Sequence, residues 1–110
     1  WWKTSNDGLP LPLGGNVIHK RIPPALRKTV SDLLTASIRY SLDHRPEAVA
    51  HSLRWARGMG HDLADKFVGM YVNHWTLDYG ERGREAIRRF LAKGAAAGLI
   101  PKQPELEFVV

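Results

Sequence analysis

The sequence has 110 residues, of which 44% are hydrophobic and 25% charged, and its formal net charge is +5. A chain of this length can build one small domain, and its composition is that of an ordinary globular protein. The absence of cysteine excludes disulfide bonds and thiolate chemistry, and no apolar stretch is as long as a membrane span.

Two adjacent tryptophans, Trp1 and Trp2, open the sequence, and no initiator methionine precedes them. Large aromatic side chains at a true N-terminus would lack packing partners. We therefore interpret the sequence as a piece of a longer protein. Residues 3–8 are rich in turn-forming residues and predict a loop.

Leucine and proline then alternate over residues 9–13, which read LPLPL. Because proline donates no backbone hydrogen bond, this pattern predicts an edge strand, a polyproline-like stretch or a crossover between lobes, with the leucines on one face. Gly14 and Gly15 allow a bulge or the close approach of another group to the backbone.

The middle of the sequence has apolar residues at helical spacing. It predicts four helices, near 23–42, 46–57, 62–73 and 79–97. The first starts at a double proline, and Gly58 is expected to stop the second. Asp62 is expected to cap the third helix, and Asp78 with Glu81 to form a capping box on the fourth. Gly98 is expected to end the fourth helix in a Schellman motif.

The tail, ELEFVV, alternates again, with Leu106, Phe108 and Val110 on one side. It predicts a strand or an extended wrap that needs a neighbour, since an isolated strand is not stable in water. The predicted fold class is thus mainly α, with about four helices between extended N- and C-terminal segments.

The positive net charge raises nucleic-acid binding as an alternative function. The basic residues of the last predicted helix alternate with acidic ones, however, so a solvated helix face is the simpler interpretation. They are Arg82, Arg84, Arg88, Arg89 and Lys93. No DNA- or RNA-binding signature is present.

His61 and Asp65 lie four residues apart and could chelate a metal if both were on a helix. The simpler interpretation is that Asp65 supplies favourable charge to the first turn of the helix, with His61 just outside it. We predict no metal site. Nucleophile elbows, phosphate loops and dinucleotide fingerprints are also missing.

Three blocks of the sequence resemble the 1,4-dihydroxy-6-naphthoate synthases, enzymes of the futalosine route to menaquinone. They are WWKTSNDGLPLPLGGNVIHKRI at residues 1–22, ADKFVGMYVNHWTLDYGERGREAI at 64–87 and AAAGLIP at 95–101. The blocks occur in the family's order and spacing and cover nearly the whole chain. Pro12 and the double glycine favour this family over the chorismate dehydratases, which share its fold.

The resemblance implies a two-lobed α/β fold similar to type II periplasmic solute-binding proteins, used as a cytoplasmic enzyme. Residues 1–22 would be an extended crossover or hinge segment, and residues 23–110 the helical C-terminal part of the first lobe. The partners of this chain would be a small-molecule substrate and the remainder of its own polypeptide. Nucleic acid and membrane are not expected as partners, and homo-oligomerisation stays open.

The family's reaction splits cyclic dehypoxanthinyl futalosine without metal or organic cofactor. Its general base is a histidine upstream of the double tryptophan, so no residue of this chain is assigned a catalytic role. Backbone lining of the substrate cleft is expected from Gly14, Gly15 and Asn16, where absent side chains let a ligand come close. A plain bulge or turn explains the two glycines about as well.

Two other functions compete with the lyase. One is a solute-binding or sensor protein of the same fold without catalysis. The other is a free-standing basic helical module that binds nucleic acid.

Overall fold

The computed structural model describes residues 1–109, and Val110 lies outside the described residues. Six α-helices form within them: α1 (Trp2–Ser5), α2 (Pro24–Asp43), α3 (Arg45–Ser52), α4 (His61–Tyr71), α5 (His74–Leu77) and α6 (Gly80–Ala96). A 3-10 turn, Leu53–Trp55, follows α3. No strand occurs between residues 1 and 109. The predicted mainly helical chain with four long segments is confirmed, whereas the single-turn helices α1 and α5 were not predicted.

The chain divides into two compact units. The first, the terminal unit, combines residues 1–17 with the chain from Asp78 onward, and the second, the central unit, is Ile18–Leu77. The terminal unit therefore brings the two ends of the sequence together on α6.

Trp2 is the main anchor of the terminal unit and is only 7% exposed. Its indole N–H donates to the Pro10 carbonyl at 3.0 Å, and its ring meets the Phe90 ring edge-on with centroids 5.6 Å apart. Leu9 and Ala86 are buried as well. Trp2 therefore has the packing partners that an aromatic residue at a true N-terminus would lack, whereas Trp1 is 87% exposed and contacts only the edge of the Trp2 ring among the aromatic rings of residues 1–109, with centroids 6.3 Å apart.

The LPLPL segment has no regular secondary structure and pairs with no strand of the described chain, so neither an edge strand nor a bulge forms there. Leu9 is buried, whereas Leu11 and Leu13 are exposed. The predicted common face of the three leucines is wrong because, without a neighbouring strand, nothing holds the segment to the two-residue period of a sheet.

The C-terminal tail has no regular secondary structure over residues 103–109. Leu106 and Phe108 are half-buried and Glu105 and Glu107 exposed. The burial of residues 105–108 therefore alternates as predicted, although no strand forms, whereas Val109 is half-buried and breaks the alternation. The contribution expected of Val110 lies outside the described residues.

The ends of α6 differ in how well local sequence predicts them. The Leu99 amide donates to the Gly94 carbonyl at 2.9 Å and the Gly98 amide to the Ala95 carbonyl at 3.0 Å, and Gly98 has a φ of +70°. This is the predicted Schellman motif. At the other end no side chain caps the helix, since Asp78 Oδ1 accepts from the Gly80 amide instead. The predicted capping box is wrong.

The central unit packs α2 to α5 around Val49 and Ala64, its two buried apolar residues. An apolar pocket of about 260 Å³ lies among α2, α3 and α4. Arg45 joins α3 to α4 by donating to Asp65 Oδ1 at 2.7 Å and to the Asp65 carbonyl at 2.8 Å. Much of the predicted apolar stripe of α2 stays exposed, most of all Leu33 at 68%.

Three helix boundaries in the central unit differ from the predicted ones. α3 ends at Ser52, before Gly58. α4 begins after Gly60 with no side-chain cap, so the predicted role of Asp62 is wrong. Asn73 accepts from the Trp75 amide at 3.0 Å and starts α5, which is why the helix expected to reach 73 stops at Tyr71.

Candidate functional site

The double glycine and Asn16 lie at the end of the extended segment and are exposed. Neither glycine has a positive φ. A Cβ atom on Gly14 would meet nothing within 4 Å, and one on Gly15 would find its nearest atom, Tyr79 Oη, at 3.5 Å. That is an ordinary van der Waals distance. Neither backbone strain nor crowding within the described chain therefore requires glycine at these two positions.

The start of the extended segment is held firmly. The Leu9 amide donates to the Asn6 carbonyl at 2.9 Å, and the Pro10 carbonyl accepts the Trp2 indole N–H. Asn6 is fully buried and its amide nitrogen donates to the Trp2 carbonyl. The segment thus leaves a fixed N-terminal turn before it reaches Gly14.

Two arginines of α6 bind that N-terminal turn. Arg82 donates to the Gly8 carbonyl at 3.0 Å, and Arg89 donates to Asp7 Oδ2 at 2.7 Å and to Glu85 Oε1 at 3.2 Å. The hydrogen bonds to Asp7, and after them those to Glu85, raise the pKa of Arg89 above its usual value. From the sequence we predicted that the arginines of α6 form a solvated helix face. Arg82 and Arg89 instead bind the N-terminal turn.

Tyr79, directly before α6, places its phenol beside Gly15. Its ring meets the Phe108 ring edge-on, with centroids 6.3 Å apart and an interplanar angle of 80°. The guanidinium carbons of Arg84 and Arg88 lie 5.6 and 5.5 Å from the centroid of the Phe108 ring, within the range of a cation–π contact. Phe108 of the C-terminal tail thus contacts the tyrosine ring from one side, and α6 in turn contacts Phe108.

Sequence reasoning missed Tyr79 as a neighbour of the double glycine. The only signal available was its place in the TLDYGE block, which the resemblance quoted without assigning roles. The two positions are far apart in the chain, and the terminal unit brings them together. Local periodicity carries no information about such a contact.

The possible metal pair, His61 and Asp65, serves other purposes. His61 is the first residue of α4, with its Nδ1 3.9 Å from Asp62 Oδ1, and Asp65 receives the Arg45 guanidinium. In residues 1–109 no group of three or more His, Cys, Asp or Glu side chains could hold a metal ion. In the same part of the chain, no helix is both long and apolar enough to cross a membrane.

Comparison with known proteins identifies the class to which these features belong. A family described as menaquinone biosynthesis matches residues 1–96. Since the match covers most of the chain, the chain belongs to the menaquinone biosynthesis family.

Two curated relatives narrow the comparison. The chain is 38% identical over 95 residues to a 1,4-dihydroxy-6-naphthoate synthase of Streptomyces coelicolor, covering 86% of this chain and 33% of that protein. It is 32% identical over 109 residues to a 1,4-dihydroxy-6-naphthoate synthase of Thermus thermophilus, covering 99% of this chain and 40% of that protein. The chain thus spans a third to two-fifths of these relatives. No solved structure was found that matches it.

Proposed function

We propose that this chain is the C-terminal part of a 1,4-dihydroxy-6-naphthoate synthase, a lyase of menaquinone biosynthesis. The observation that carries the proposal is the match of 99% of the chain to a relative of that name. The complete protein would split cyclic dehypoxanthinyl futalosine into 1,4-dihydroxy-6-naphthoate and a sugar-derived fragment, in the cytoplasm and without a cofactor.

The catalytic base belongs, in this proposal, to the part of the polypeptide upstream of Trp1. The chain described here would supply one side of the architecture, a two-lobed fold of the type II periplasmic-binding-protein kind. Residues 1–22 would form the hinge crossover, and residues 23–110 the C-terminal part of the first lobe. The helical character of the central unit is compatible with that role.

Gly14, Gly15 and Asn16 would line the substrate cleft through their backbone. The supporting observation is that nothing within the described chain explains the two glycines: their φ values are not left-handed, and a Cβ atom would fit at both. A ligand that approaches the backbone closely would give such a pair a purpose.

The rest of the polypeptide would cover the apolar surface that the two units leave open. On α2 the exposed side chains at helical spacing are Leu26, Val30 and Leu33, and on α4 they are Leu63, Phe67 and Met70. Apolar stripes of this kind normally face a core. A protein two to three times as long, as the relatives are, has the material to cover them.

The test compares the complete protein with this chain alone. The complete protein should convert cyclic dehypoxanthinyl futalosine to the naphthoate, and it should lose activity when the upstream base histidine is replaced by alanine. The 110-residue chain should be inactive, because positioning and proton abstraction both need the missing part.

Two outcomes would overturn this reading. Turnover of the substrate by the 110-residue chain alone would show that the catalytic base does not lie upstream of Trp1. Tight binding of the substrate by the complete protein without turnover would favour a solute-binding or sensor protein, the alternative of the same fold. The family match gives no support to the second alternative, a basic module that binds nucleic acid. That the protein does not bind nucleic acid remains a prediction.

A further inference from the structure

We propose that the Tyr79 hydroxyl is a substrate-contacting group that donates a hydrogen bond to an oxygen of the molecule bound over Gly14 and Gly15. This inference rests on the proposed function, because it names the side chain that would accompany the backbone lining. Three observations in the terminal unit lead to it.

The first observation is the state of the hydroxyl. Within residues 1–109, Tyr79 Oη makes no hydrogen bond to another protein group, although the side chain is half-buried. The hydroxyl oxygen itself is not fully buried, so it is open to a partner from outside the protein. In this proposal the partner is an oxygen of the bound molecule.

The second observation is where the ring is held. Phe108 contacts it edge-on, and Phe108 itself lies under the Arg84 and Arg88 guanidiniums. These contacts restrict the ring without using its hydroxyl. A fixed ring with an unused polar end is the arrangement that positions a hydrogen bond at low entropic cost.

The third observation is what lies beside the hydroxyl. The nearest heavy atom to a Cβ atom placed on Gly15 is Tyr79 Oη, at 3.5 Å, and a Cβ on Gly14 meets nothing within 4 Å. The phenol thus borders an open strip of backbone that has no side chains. A small molecule lying on this strip would contact the backbone and the hydroxyl together.

The experiment measures KM, kcat and melting temperature of the complete protein with cyclic dehypoxanthinyl futalosine. The variants are Tyr79→Phe, which keeps the ring contact with Phe108, and Tyr40→Phe as its matched control. Tyr40 is exposed, and its ring likewise contacts another aromatic ring, stacking on that of His44 with centroids 4.0 Å apart.

Loss of one neutral hydrogen bond to the substrate should raise KM about 2- to 12-fold. The melting temperature of Tyr79→Phe should equal that of the unmodified protein, and Tyr40→Phe should change neither quantity. A structural role would instead lower the melting temperature, which is why both are measured.

A double-mutant cycle with Gly15→Ala adds a second criterion. Because a Cβ atom on Gly15 would lie 3.5 Å from Tyr79 Oη, the two substitutions can also couple by direct contact, and the cycle is therefore measured on the melting temperature as well. If the hydroxyl and the glycine serve the same bound molecule, the effects of Gly15→Ala and Tyr79→Phe on kcat/KM should not multiply in the double variant, while their effects on the melting temperature should add. Independent effects would place the two residues at separate sites and overturn the proposal.

The outcomes separate this inference from the proposed function. An active complete protein whose Tyr79→Phe variant has an unchanged KM, or a lowered melting temperature together with lowered activity, overturns the role of Tyr79 alone. A complete protein that neither binds nor converts the substrate overturns the proposed function, and the role of Tyr79 with it.

Discussion

Arg45 lies across α4 at the place where Gly69 has no side chain. A Cβ atom on Gly69 would come within 2.9 Å of Arg45 Nη2, a distance that real Cβ atoms do not tolerate. The same guanidinium donates to the Asp65 side chain and to its carbonyl, one turn earlier on the helix. The bare helix surface at Gly69 therefore makes room for the contact that joins α3 to α4.

The first prediction concerns Gly69→Ala. Alanine is better than glycine in a helix interior by about 1 kcal/mol, but here it would push Arg45 from Asp65, at a cost of similar size for a half-exposed charged hydrogen bond. We expect nearly no change in the free energy of unfolding of the chain, measured by urea denaturation.

The control is the same substitution in an Arg45→Ala background, where nothing has to move. There Gly69→Ala should stabilise the chain by about 1 kcal/mol. Equal stabilisation in the two backgrounds would show that the hydrogen bonds from Arg45 to Asp65 form equally well when residue 69 has a side chain.

The second prediction separates two kinds of glycine. Gly98 has a φ of +70°, so Gly98→Ala should lower the free energy of unfolding by about 1–2 kcal/mol. Gly14 has neither a positive φ nor a nearby atom, so Gly14→Ala should raise it by about 0.4–1 kcal/mol, through the entropy of the unfolded chain.

Denaturation of the two variants side by side checks this difference, and activity of the complete protein adds to it. If a ligand lies against the backbone at residue 14, Gly14→Ala should lower activity while stability rises. A lower free energy of unfolding for Gly14→Ala would contradict the description of Gly14, because it would mean that the backbone conformation or a close contact at this position requires glycine.

The third prediction uses the two tryptophans as a matched pair. Trp2 is buried against Phe90 and bonded to Pro10, whereas Trp1 is almost fully exposed. Trp2→Ala should cost about 3 kcal/mol, the lower end for a buried aromatic residue, and Trp1→Ala less than about 0.5 kcal/mol. Similar losses in thermal or urea unfolding for both variants would contradict the packing described for the terminal unit.

The fourth prediction concerns the exposed apolar side chains of the central unit. The chain alone should bind a hydrophobic dye, because Leu33, Leu63 and Phe67 are more than half exposed and contiguous apolar surface attracts such probes. Leu33→Ser with Phe67→Ser should reduce the dye fluorescence. The complete protein should bind less dye per molecule than the chain, and equal binding would argue against coverage by the rest of the polypeptide.

Several elements could be predicted from the sequence because their causes are local. The helical spacing of apolar residues predicted α2, α4 and α6 to within a few residues, and Gly98 predicted the way α6 ends. The resemblance in the LPLPLGG and TLDYGE blocks predicted the family. The caps were less predictable, because short-range competition decides which amide a carboxylate binds. Asp78 Oδ1 accepts from the Gly80 amide, and no side chain caps α4.

Only the tertiary structure decided which apolar residues are buried and which side chains meet. Trp2 and Leu9 are buried while Leu11, Leu33 and Phe67 are not, although all five are apolar. Burial depends on which partner element comes alongside, and the ring that packs on Trp2 from a distant part of the chain is that of Phe90 on α6. Tyr79 and Gly15 likewise lie close together only because distant segments pack against each other. The periodicity of a segment indicates which of its own faces is apolar, whereas contacts between distant segments form only when the whole chain packs.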